Sequence, residues 1–293
     1  MIEFWKQAAN QVELDGLVHW LKSTRAGPKA AAFERVMKLV DYFGKHDIRN
    51  VVLGVSGGVD SAVCLYLLRE AAKRIPLKIR ACVFHFNQYD AVFDNRYIEN
   101  LKRDTIGDSN IEWIERDLTG VENQLWNSLN LIHTEDDQAN TNYALRYHAF
   151  FAVAQAYRGV TIGTTNLDEL GYAGWFGKNS DMVVDLQIIH NLHKFQVKEL
   201  AEFLKVPQSI INRAPVGDLI SGATDEQNFG CTYDELSWLT YYVRSHFLKE
   251  YEPNSFREFF FNDFVTKKFS MVHALHKQNS HKYQGQTYNP IFL

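Results

Sequence analysis

The stretch Val51-Val52-Leu53-Gly54-Val55 leads directly into Ser56-Gly57-Gly58-Val59-Asp60-Ser61. Its first part is a short apolar run, which predicts a strand that is buried on both faces of a sheet. The paired glycines allow a tight turn, and the apolar spacing that follows predicts a helix over residues 59–74. Free N–H groups at the start of such a helix favour an anion, so this turn is a candidate phosphate-binding loop.

The rest of the sequence alternates between strand-like and helical patterns. Apolar runs predict strands at 79–86, 111–114 and 160–164, and helical spacing predicts helices within 3–47 and over 95–105, 121–131 and 142–157. This alternation predicts an α/β fold with an open parallel sheet and helices on both faces. Ligands of such sheets bind beyond the C-terminal ends of the strands, so we expect functional residues after Val55, Phe84 and Ile162. No linker stands out, and we predict a single domain over residues 1–293 with helical extensions at both ends.

Composition and charge exclude several classes of protein. Hydrophobic residues make up 46% of the 293 residues, which suffices for a sizeable core. The net charge of −4 and the lack of a long basic run argue against nucleic acid as the main partner. No stretch approaches the roughly 20 apolar residues of a membrane span, and the N-terminus lacks the apolar run of a signal peptide. The spacing of Cys64, Cys82 and Cys231 fits neither a zinc site nor a disulfide framework, so we expect a cytoplasmic protein.

The side chains of the candidate loop fit a phosphate bound together with a metal ion. Ser56 and Ser61 add hydroxyl donors to the turn. Asp60 would repel a phosphate by itself, which suggests that Mg²⁺ bridges the two. The lysine of the kinase-type phosphate loop is absent. A glycine turn capped by Ser and Asp is also ordinary chemistry for the start of a helix, but the whole hexapeptide directly after a buried strand favours phosphate binding.

Residues 52–61 resemble the pyrophosphate loop of the ATP pyrophosphatases, which cleave ATP between its α- and β-phosphates and form an acyl or related adenylate. Within that group, the later motifs are similar to those of ammonia-dependent NAD synthetases. These motifs are GTTNLDE (163–169), GWFGKNSDMVVDL (174–186), KFQV (194–197), PVGDL (215–219), TDE (224–226) and GCTYDEL (230–236). The resemblance runs from about residue 33 to residue 282 and implies the Rossmann-like adenine nucleotide alpha-hydrolase fold.

The resemblance also implies roles for individual residues. Asp60 and Glu169 would hold Mg²⁺, and Lys194 would stabilise the charge on departing pyrophosphate, so Asp60 and Lys194 are the predicted catalytic residues. The predicted ATP-binding residues are Gly54, Ser56, Gly57, Gly58, Asp60, Ser61, Thr164 and Lys194. The predicted substrate-binding residues are Arg146, Lys178, Asp181, Asp185, His281 and Lys282.

Several positions depart from the family pattern. The family usually has an arginine that contacts ATP at the end of the second strand, where this sequence reads Val83-Phe84-His85-Phe86. The first arginine of the family's N-x-x-x-R-x-R motif is Ala144, and the small hydroxyl residue of P-[ST]-A-D-L is Val216. Loss of an arginine can remove a bidentate contact to a phosphate or carboxylate. These departures leave adenylation in place and leave the identity of the acceptor open.

The leading hypothesis is a ligase that forms a carbon–nitrogen bond by converting ATP, deamido-NAD and ammonia to NAD, AMP and pyrophosphate. The alternative is a related adenylating amide synthetase that acts on another carboxylic acid, such as a sugar acid or a biosynthetic intermediate. A nucleotide-binding regulator without activity is disfavoured, because binding alone does not need Asp60, Glu169 and Lys194 together.

The sequence also leads to expectations about the oligomeric state, the source of ammonia and two histidines. The resemblance implies a homodimer, whose surface could include the apolar N-terminal helix and a helix over residues 256–269. Alternatively, both helices pack on the core of their own chain. The 293 residues leave no room for a glutaminase domain, so ammonia would arrive free or from a separate partner. His190 and His193 are interpreted as solvated loop histidines rather than as a metal-binding pair.

Overall fold

The computed structural model describes residues 7–86, 95–132, 134–216, 223–247, 261–283 and 291–292. Its strands are β1 (Asn50–Gly54), β2 (Lys78–His85), β3 (Ile111–Asp117), β4 (Val160–Gly163), β5 (Leu186–Gln187) and β6 (Ile291–Phe292). They form a parallel sheet in the order β3-β2-β1-β4-β5-β6. Within this sheet, Leu53 of β1 lies opposite Ala81 of β2 and Ile162 of β4. The predicted α/β fold with an open parallel sheet is confirmed.

The described helices surround this sheet. They are α1 (Gln11–Ser23), α2 (Pro28–Lys45), α3 (Val59–Ala72), α4 (Arg96–Asp104), α5 (Thr119–Leu129), α6 (Glu135–Tyr157), α7 (Lys194–Phe203), α8 (Gln208–Ile211), α9 (Asp225–Phe229), α10 (Tyr233–Phe247), α11 (Asp263–Lys268) and α12 (Ser270–Asn279). A π-helical turn spans Glu169–Ala173, and a 3₁₀ turn spans Ser280–Tyr283. None of the described helices combines the length and the apolar character that a membrane span requires.

Side chains of the central strand β1 pack against helices on both faces of the sheet. Leu53 of β1 belongs to the main core, which is built with apolar residues of α2, α3 and α7. The neighbouring Val52 points to the other face, where Phe84 of β2 and Ala154 of α6 complete a smaller cluster. Successive side chains of a strand point to opposite faces, so one apolar run serves both layers. The predicted placement of helices on both faces is confirmed.

Several predicted boundaries differ from the structure. The helical region predicted over residues 3–47 is divided into α1 and α2, and α2 begins at Pro28, where a proline is tolerated because the first N–H needs no partner. The helix predicted over 142–157 begins earlier, at Glu135, since Thr134 and Asp137 form a capping box. The short strands β5 and β6 were not predicted. Of the helix predicted over 256–269, residues 256–260 lie outside the described residues, and the described part contains α11.

A second apolar cluster joins the two ends of the chain. Leu14 and Leu21 of α1 pack with Leu239 of α10 and with Phe269, the residue between α11 and α12. Tyr172 of the π-helical turn belongs to the same cluster. The terminal helices therefore pack directly against the segment that carries Glu169.

Candidate active site

The candidate phosphate loop lies at the C-terminal end of β1, as predicted. Gly57 has a φ of +74°, a conformation that glycine adopts without strain. The Ser56 backbone N–H donates to Ser61 Oγ at 3.3 Å, and Ser61 Oγ donates to the Gly58 carbonyl at 3.1 Å. The Gly58 N–H donates to Ser56 Oγ at 3.3 Å. These short-range bonds hold the turn in shape at the start of α3.

Two further predicted ATP-binding residues lie beside this loop. Gly54 ends β1, and a Cβ atom at this position would lie 2.5 Å from the Phe150 ring of α6. Only a residue without a side chain allows this close approach. Thr164 follows β4, and both Gly54 and Thr164 line the same cavity. The structure therefore brings the ends of β1 and β4 together around one space.

The predicted catalytic and metal-binding residues form one cluster, in which Lys194 is buried and Asp60 and Glu169 are half-buried. Lys194 Nζ lies 2.5 Å from Asp60 Oδ2 and 3.4 Å from Glu169 Oε1. Lys194, the first residue of α7, is only 3% exposed. Asn166 Nδ2 donates to the other carboxylate oxygen of Asp60 at 3.1 Å. Three residues that are far apart in the sequence thus meet directly beside the phosphate loop.

Two side chains in this cluster were not predicted as functional residues. Tyr233 Oη lies 3.2 Å from Glu169 Oε1 and 2.8 Å from Asp225 Oδ2. The ammonium group of Lys194 sits 4.8 Å from the centre of the Tyr233 ring. Both residues fall in motifs of the sequence, TDE and GCTYDEL, but neither motif alone indicates that its side chain turns toward Glu169.

The carboxyl groups of this cluster outnumber its ammonium group, so the cluster favours additional positive charge. Burial raises the pKa of Glu169, Lys194 lowers it, and the neighbouring carboxylates of Asp60 and Asp225 add to the net increase. Burial acts to lower the pKa of Lys194, but Asp60 and Glu169 outweigh it, so the net pKa is raised and the ammonium stays charged. One ammonium therefore faces three carboxyl groups, and further positive charge would stabilise the ionised cluster.

The donor set suits Mg²⁺ that is shared with ATP. Asp60 and Glu169 contact the same ammonium group, so a cation between the two carboxylates matches their arrangement. Among the described residues, no group of three or more His, Cys, Asp or Glu side chains could hold a metal ion. Mg²⁺ commonly takes one or two carboxylates and completes its shell with water and substrate phosphates. Asp60 and Glu169 fit that pattern.

A buried hydrogen-bond network fixes the start of α7. Asp168 Oδ2 accepts bonds from the Lys194 backbone N–H at 2.8 Å and from Ser237 Oγ at 2.7 Å. Asp168 Oδ1 lies 2.7 Å from His193 Nδ1. The interpretation of His193 as a solvated loop residue is wrong, since it is 2% exposed and caps α7. This network orients the residue next to it, Lys194.

The cavity also contains several of the predicted substrate-binding residues. The cavity has a volume of about 570 Å³, and Arg146, Lys178, Asp181 and Lys282 line it. Arg146 Nε donates to the Phe84 carbonyl at 3.2 Å, beyond the end of β2. We call the part of the cavity around these four predicted substrate-binding residues the acceptor wall.

Hydrogen bonds fix two of these side chains. Asp181 Oδ1 accepts a bond from Tyr147 Oη, and Asp181 Oδ2 accepts one from the Gly177 N–H, both at 2.8 Å. Burial raises the pKa of Asp181. Lys282 Nζ donates to the Phe176 carbonyl at 2.7 Å. Asp181 and Lys282 are therefore held in place by backbone groups and by Tyr147.

Two predicted substrate-binding residues lie apart from this cavity. Asp185 Oδ2 accepts bonds from the backbone N–H and the Oγ1 of Thr161, at 2.7 Å and 2.8 Å. It thereby ties the start of β5 to β4, and it is not among the residues that line the cavity. His281 is exposed in the 3₁₀ turn, where its Nδ1 lies 3.0 Å from the Gln278 carbonyl.

Comparison with known proteins identifies relatives that match most of the chain. The model of the NAD synthase family matches residues 32–285. The NH(3)-dependent NAD(+) synthetase of Mesoplasma florum is 33% identical over 201 residues, which cover 66% of this chain and 76% of the relative. The enzyme of the same name from Picrophilus torridus is 32% identical over 203 residues, which cover 69% of this chain and 78% of the relative.

A solved structure agrees with these relatives. The NMN synthetase from Francisella tularensis matches with a TM-score of 0.72 at 25% sequence identity, and the match covers 89% of this chain and 98% of that one. The family match includes the phosphate loop, the Asp60–Glu169–Lys194 cluster and the acceptor wall. On this evidence the chain belongs to the NAD synthase family.

Proposed function

We propose that this chain is an ammonia-dependent ligase that uses ATP and Mg²⁺ to convert deamido-NAD to NAD, with release of AMP and pyrophosphate. The observation that carries the proposal is the contact of Lys194 with both Asp60 and Glu169 beside the phosphate loop. The names of the Mesoplasma florum and Picrophilus torridus relatives support ammonia as the nitrogen source.

The first step joins two anions, the substrate carboxylate and ATP, so positive charge is needed to offset their repulsion. A carboxylate oxygen of the substrate forms a bond to the α-phosphorus of ATP, and the bond from that phosphorus to the bridging oxygen of pyrophosphate breaks. The N–H groups of the loop and the start of α3 would hold the phosphates. Asp60 and Glu169 would hold Mg²⁺, which supplies positive charge against the triphosphate when it is bound.

Lys194 supplies fixed positive charge on the same side. Its raised pKa keeps the ammonium protonated, and its burial excludes water from around the charge. The Asp168 network holds its backbone in place, so the charge needs little reorganisation during the reaction. Lys194 therefore stabilises the negative charge that develops on departing pyrophosphate.

The second step needs less from the protein. Neutral ammonia attacks the acyl carbon of the adenylate, the carbon–nitrogen bond forms, and the carbon–oxygen bond to AMP breaks. The nitrogen then loses a proton. The carboxylate of the substrate is itself the nucleophile of the first step, so no activated serine or cysteine is required.

A second acceptor, nicotinate mononucleotide, also deserves a test. The structural match to an enzyme named NMN synthetase favours it, since the amide product of this acceptor is NMN. In addition, Ala144 lines the cavity at the position of a family arginine, which removes one cation from the acceptor wall. Acceptors outside the nicotinate nucleotides, such as sugar acids, are not favoured by the relatives.

We further propose a homodimer that works in the cytoplasm, with each chain forming a single NAD-synthetase-like domain. The three cysteines are free and buried, which suits a reducing compartment. The homodimer proposal rests on the family resemblance, and light scattering of the purified chain would test it directly.

Product analysis tests the proposed function. Purified protein would be incubated with ATP, Mg²⁺, an ammonium salt and either deamido-NAD or nicotinate mononucleotide. We expect equal amounts of amide product, AMP and pyrophosphate, and a higher kcat/KM for deamido-NAD. A higher kcat/KM for the mononucleotide would assign the second acceptor. The proposal would be contradicted if neither acceptor led to pyrophosphate release, or if glutamine alone supported turnover.

A further inference from the structure

Arg213 lies against the phosphate loop, although no motif of the sequence marks it. Its Nη1 donates to the Ser56 carbonyl at 3.3 Å. A Cβ atom at Gly57 would lie 3.3 Å from the same Nη1. The guanidinium group stacks over the Tyr97 ring of α4, with 4.6 Å between its central carbon and the ring centre. Arg213 therefore lines the cavity directly beside the turn that would hold the phosphates.

The cations of the cavity are divided between its two sides. Arg146 contacts the end of β2, while Lys282 contacts the wall near Phe176. Lys194 and Arg213 both line the cavity and both contact residues of the phosphate loop. They contact different parts of the loop, because Lys194 reaches Asp60 whereas Arg213 reaches Ser56.

The negative charges near the phosphate loop exceed what the Lys194 ammonium group can neutralise alone. Lys194 shares its ammonium with Asp60 and Glu169, and the triphosphate of ATP adds several more negative charges. Arginine is suited to phosphate because its planar group offers several N–H donors in a fixed fork. Stacking on Tyr97 orients that plane before a ligand binds, which lowers the entropy lost on binding.

We propose that Arg213 binds the β- and γ-phosphates of ATP and stays on pyrophosphate as it leaves the α-phosphorus. This proposal rests on the proposed function for the use of ATP, and it adds a second cation to the phosphate side.

Nucleotide binding distinguishes a phosphate contact from a structural brace. Calorimetry would compare the Kd values of ATP, pyrophosphate and AMP for wild type and Arg213→Gln, all with Mg²⁺. We expect ATP and pyrophosphate to bind roughly tenfold to a hundredfold more weakly to the variant, as expected for loss of a charge-assisted hydrogen bond. AMP lacks the two distal phosphates, so its Kd should change by less than about twofold. Equal weakening of all three ligands, or no weakening, would overturn the proposal.

Two further variants complete the test. Arg74→Gln removes an exposed arginine beyond the other end of α3 and should leave all three Kd values unchanged. Arg213→Lys keeps the charge but loses the planar fork, so it should weaken ATP and pyrophosphate binding by about threefold to tenfold and spare AMP. If Arg213→Gln does not fold, the test rests on Arg213→Lys. A Kd for ATP equal to that of the wild-type protein would then contradict the proposal. These titrations need neither acceptor nor ammonia, so an error in the acceptor cannot cause their failure.

Discussion

The phosphate side of the cavity is held by loop hydrogen bonds and one shared ion-pair cluster, whereas the acceptor wall carries charged side chains that are held separately. On the phosphate side, the Lys194 ammonium group lies 2.5 Å from Asp60 Oδ2 and 3.4 Å from Glu169 Oε1. On the acceptor wall, Arg146 Nε donates to the Phe84 carbonyl at 3.2 Å, and Lys282 Nζ donates to the Phe176 carbonyl at 2.7 Å. The first side concentrates charge around one ammonium group, whereas the second distributes it along the cavity.

This difference separates reaction chemistry from substrate choice. Every adenylating enzyme must stabilise the same departing pyrophosphate, so its charged groups have little freedom to vary. The acceptor wall only has to bind one carboxylate-bearing molecule, and shape and a few polar contacts decide which one. Changes on the phosphate side should therefore lower the rate with any acceptor, while changes on the acceptor side should alter affinity for one substrate.

Removal of the Lys194 charge should have the largest effect. Lys194→Ala should fold, bind ATP somewhat more weakly and release pyrophosphate roughly 10²–10³-fold more slowly, since it loses a preorganised charge. Steady-state pyrophosphate release measures the rate, and matched thermal melts exclude unfolding. Lys198→Ala, on the same helix, serves as the control. A folded Lys194→Ala enzyme within about threefold of wild type would remove Lys194 from the mechanism.

The dependence on Mg²⁺ should itself depend on pH. The pKa of Glu169 is raised to about 8, so below that pH the carboxyl group holds a proton that the metal must displace. The Mg²⁺ concentration for half-maximal activity should therefore fall as pH rises, by up to about tenfold per unit, and level off above the pKa. Mg²⁺ titrations of pyrophosphate release at several pH values would measure it.

Variants at glutamate positions sharpen this pH prediction. Glu169→Gln should require more Mg²⁺ at every pH and lose the pH dependence, because the amide does not titrate in this range. Glu199→Gln, on α7, is the control, since Glu199 also has a pKa raised by burial. An unchanged pH profile in Glu169→Gln would assign the titration to another group.

A change on the acceptor wall should have a smaller and more selective effect. Arg146→Gln should raise the KM of the carboxylate acceptor roughly tenfold, which corresponds to one charge-assisted hydrogen bond. The KM of ATP should change by less than about twofold, because Arg146 contacts the end of β2 rather than the loop. Arg103→Gln on α4 is the control. Equal changes in both KM values would mean that the two sides are not independent.

The smallest kinetic effect is expected at Asp185. Its carboxylate ties Thr161 of β4 to the start of β5, so Asp185→Asn should lower the free energy of unfolding by about 1 kcal/mol. Denaturant titration measures this change. The KM of the acceptor should stay within about twofold of wild type. A KM increase as large as that of Arg146→Gln would restore Asp185 to the acceptor site, for example across a homodimer interface.

The elements around the phosphate loop were predictable because their signals are local. The apolar run at residues 51–55 and the glycines after it define β1, the turn and the start of α3 without reference to distant residues. The early start of α6 was missed because residues 135–141 are mostly polar and show no apolar period. Strands β5 and β6 were missed because two residues are too few to form a pattern.

The site was predictable only where motifs marked it. The resemblance of the motifs to those of the family implied Asp60, Glu169 and Lys194, whereas Tyr233 and Asp225 join the cluster through packing of α9 and α10. The sequence could not show the burial of His193, since its partner Asp168 comes 25 residues earlier. Contacts made by tertiary packing leave no periodic signal in the chain.

The fate of one oxygen atom tests the central claim that this site adenylates a nicotinate carboxylate. Deamido-NAD with heavy oxygen in its carboxylate would be converted with ATP and an ammonium salt, and mass spectrometry would locate the label. If the carboxylate attacks the α-phosphorus, the bond that later breaks leaves one labelled oxygen on AMP and none on pyrophosphate. Label in pyrophosphate or in inorganic phosphate, or amide formation with unlabelled AMP, would contradict adenylation.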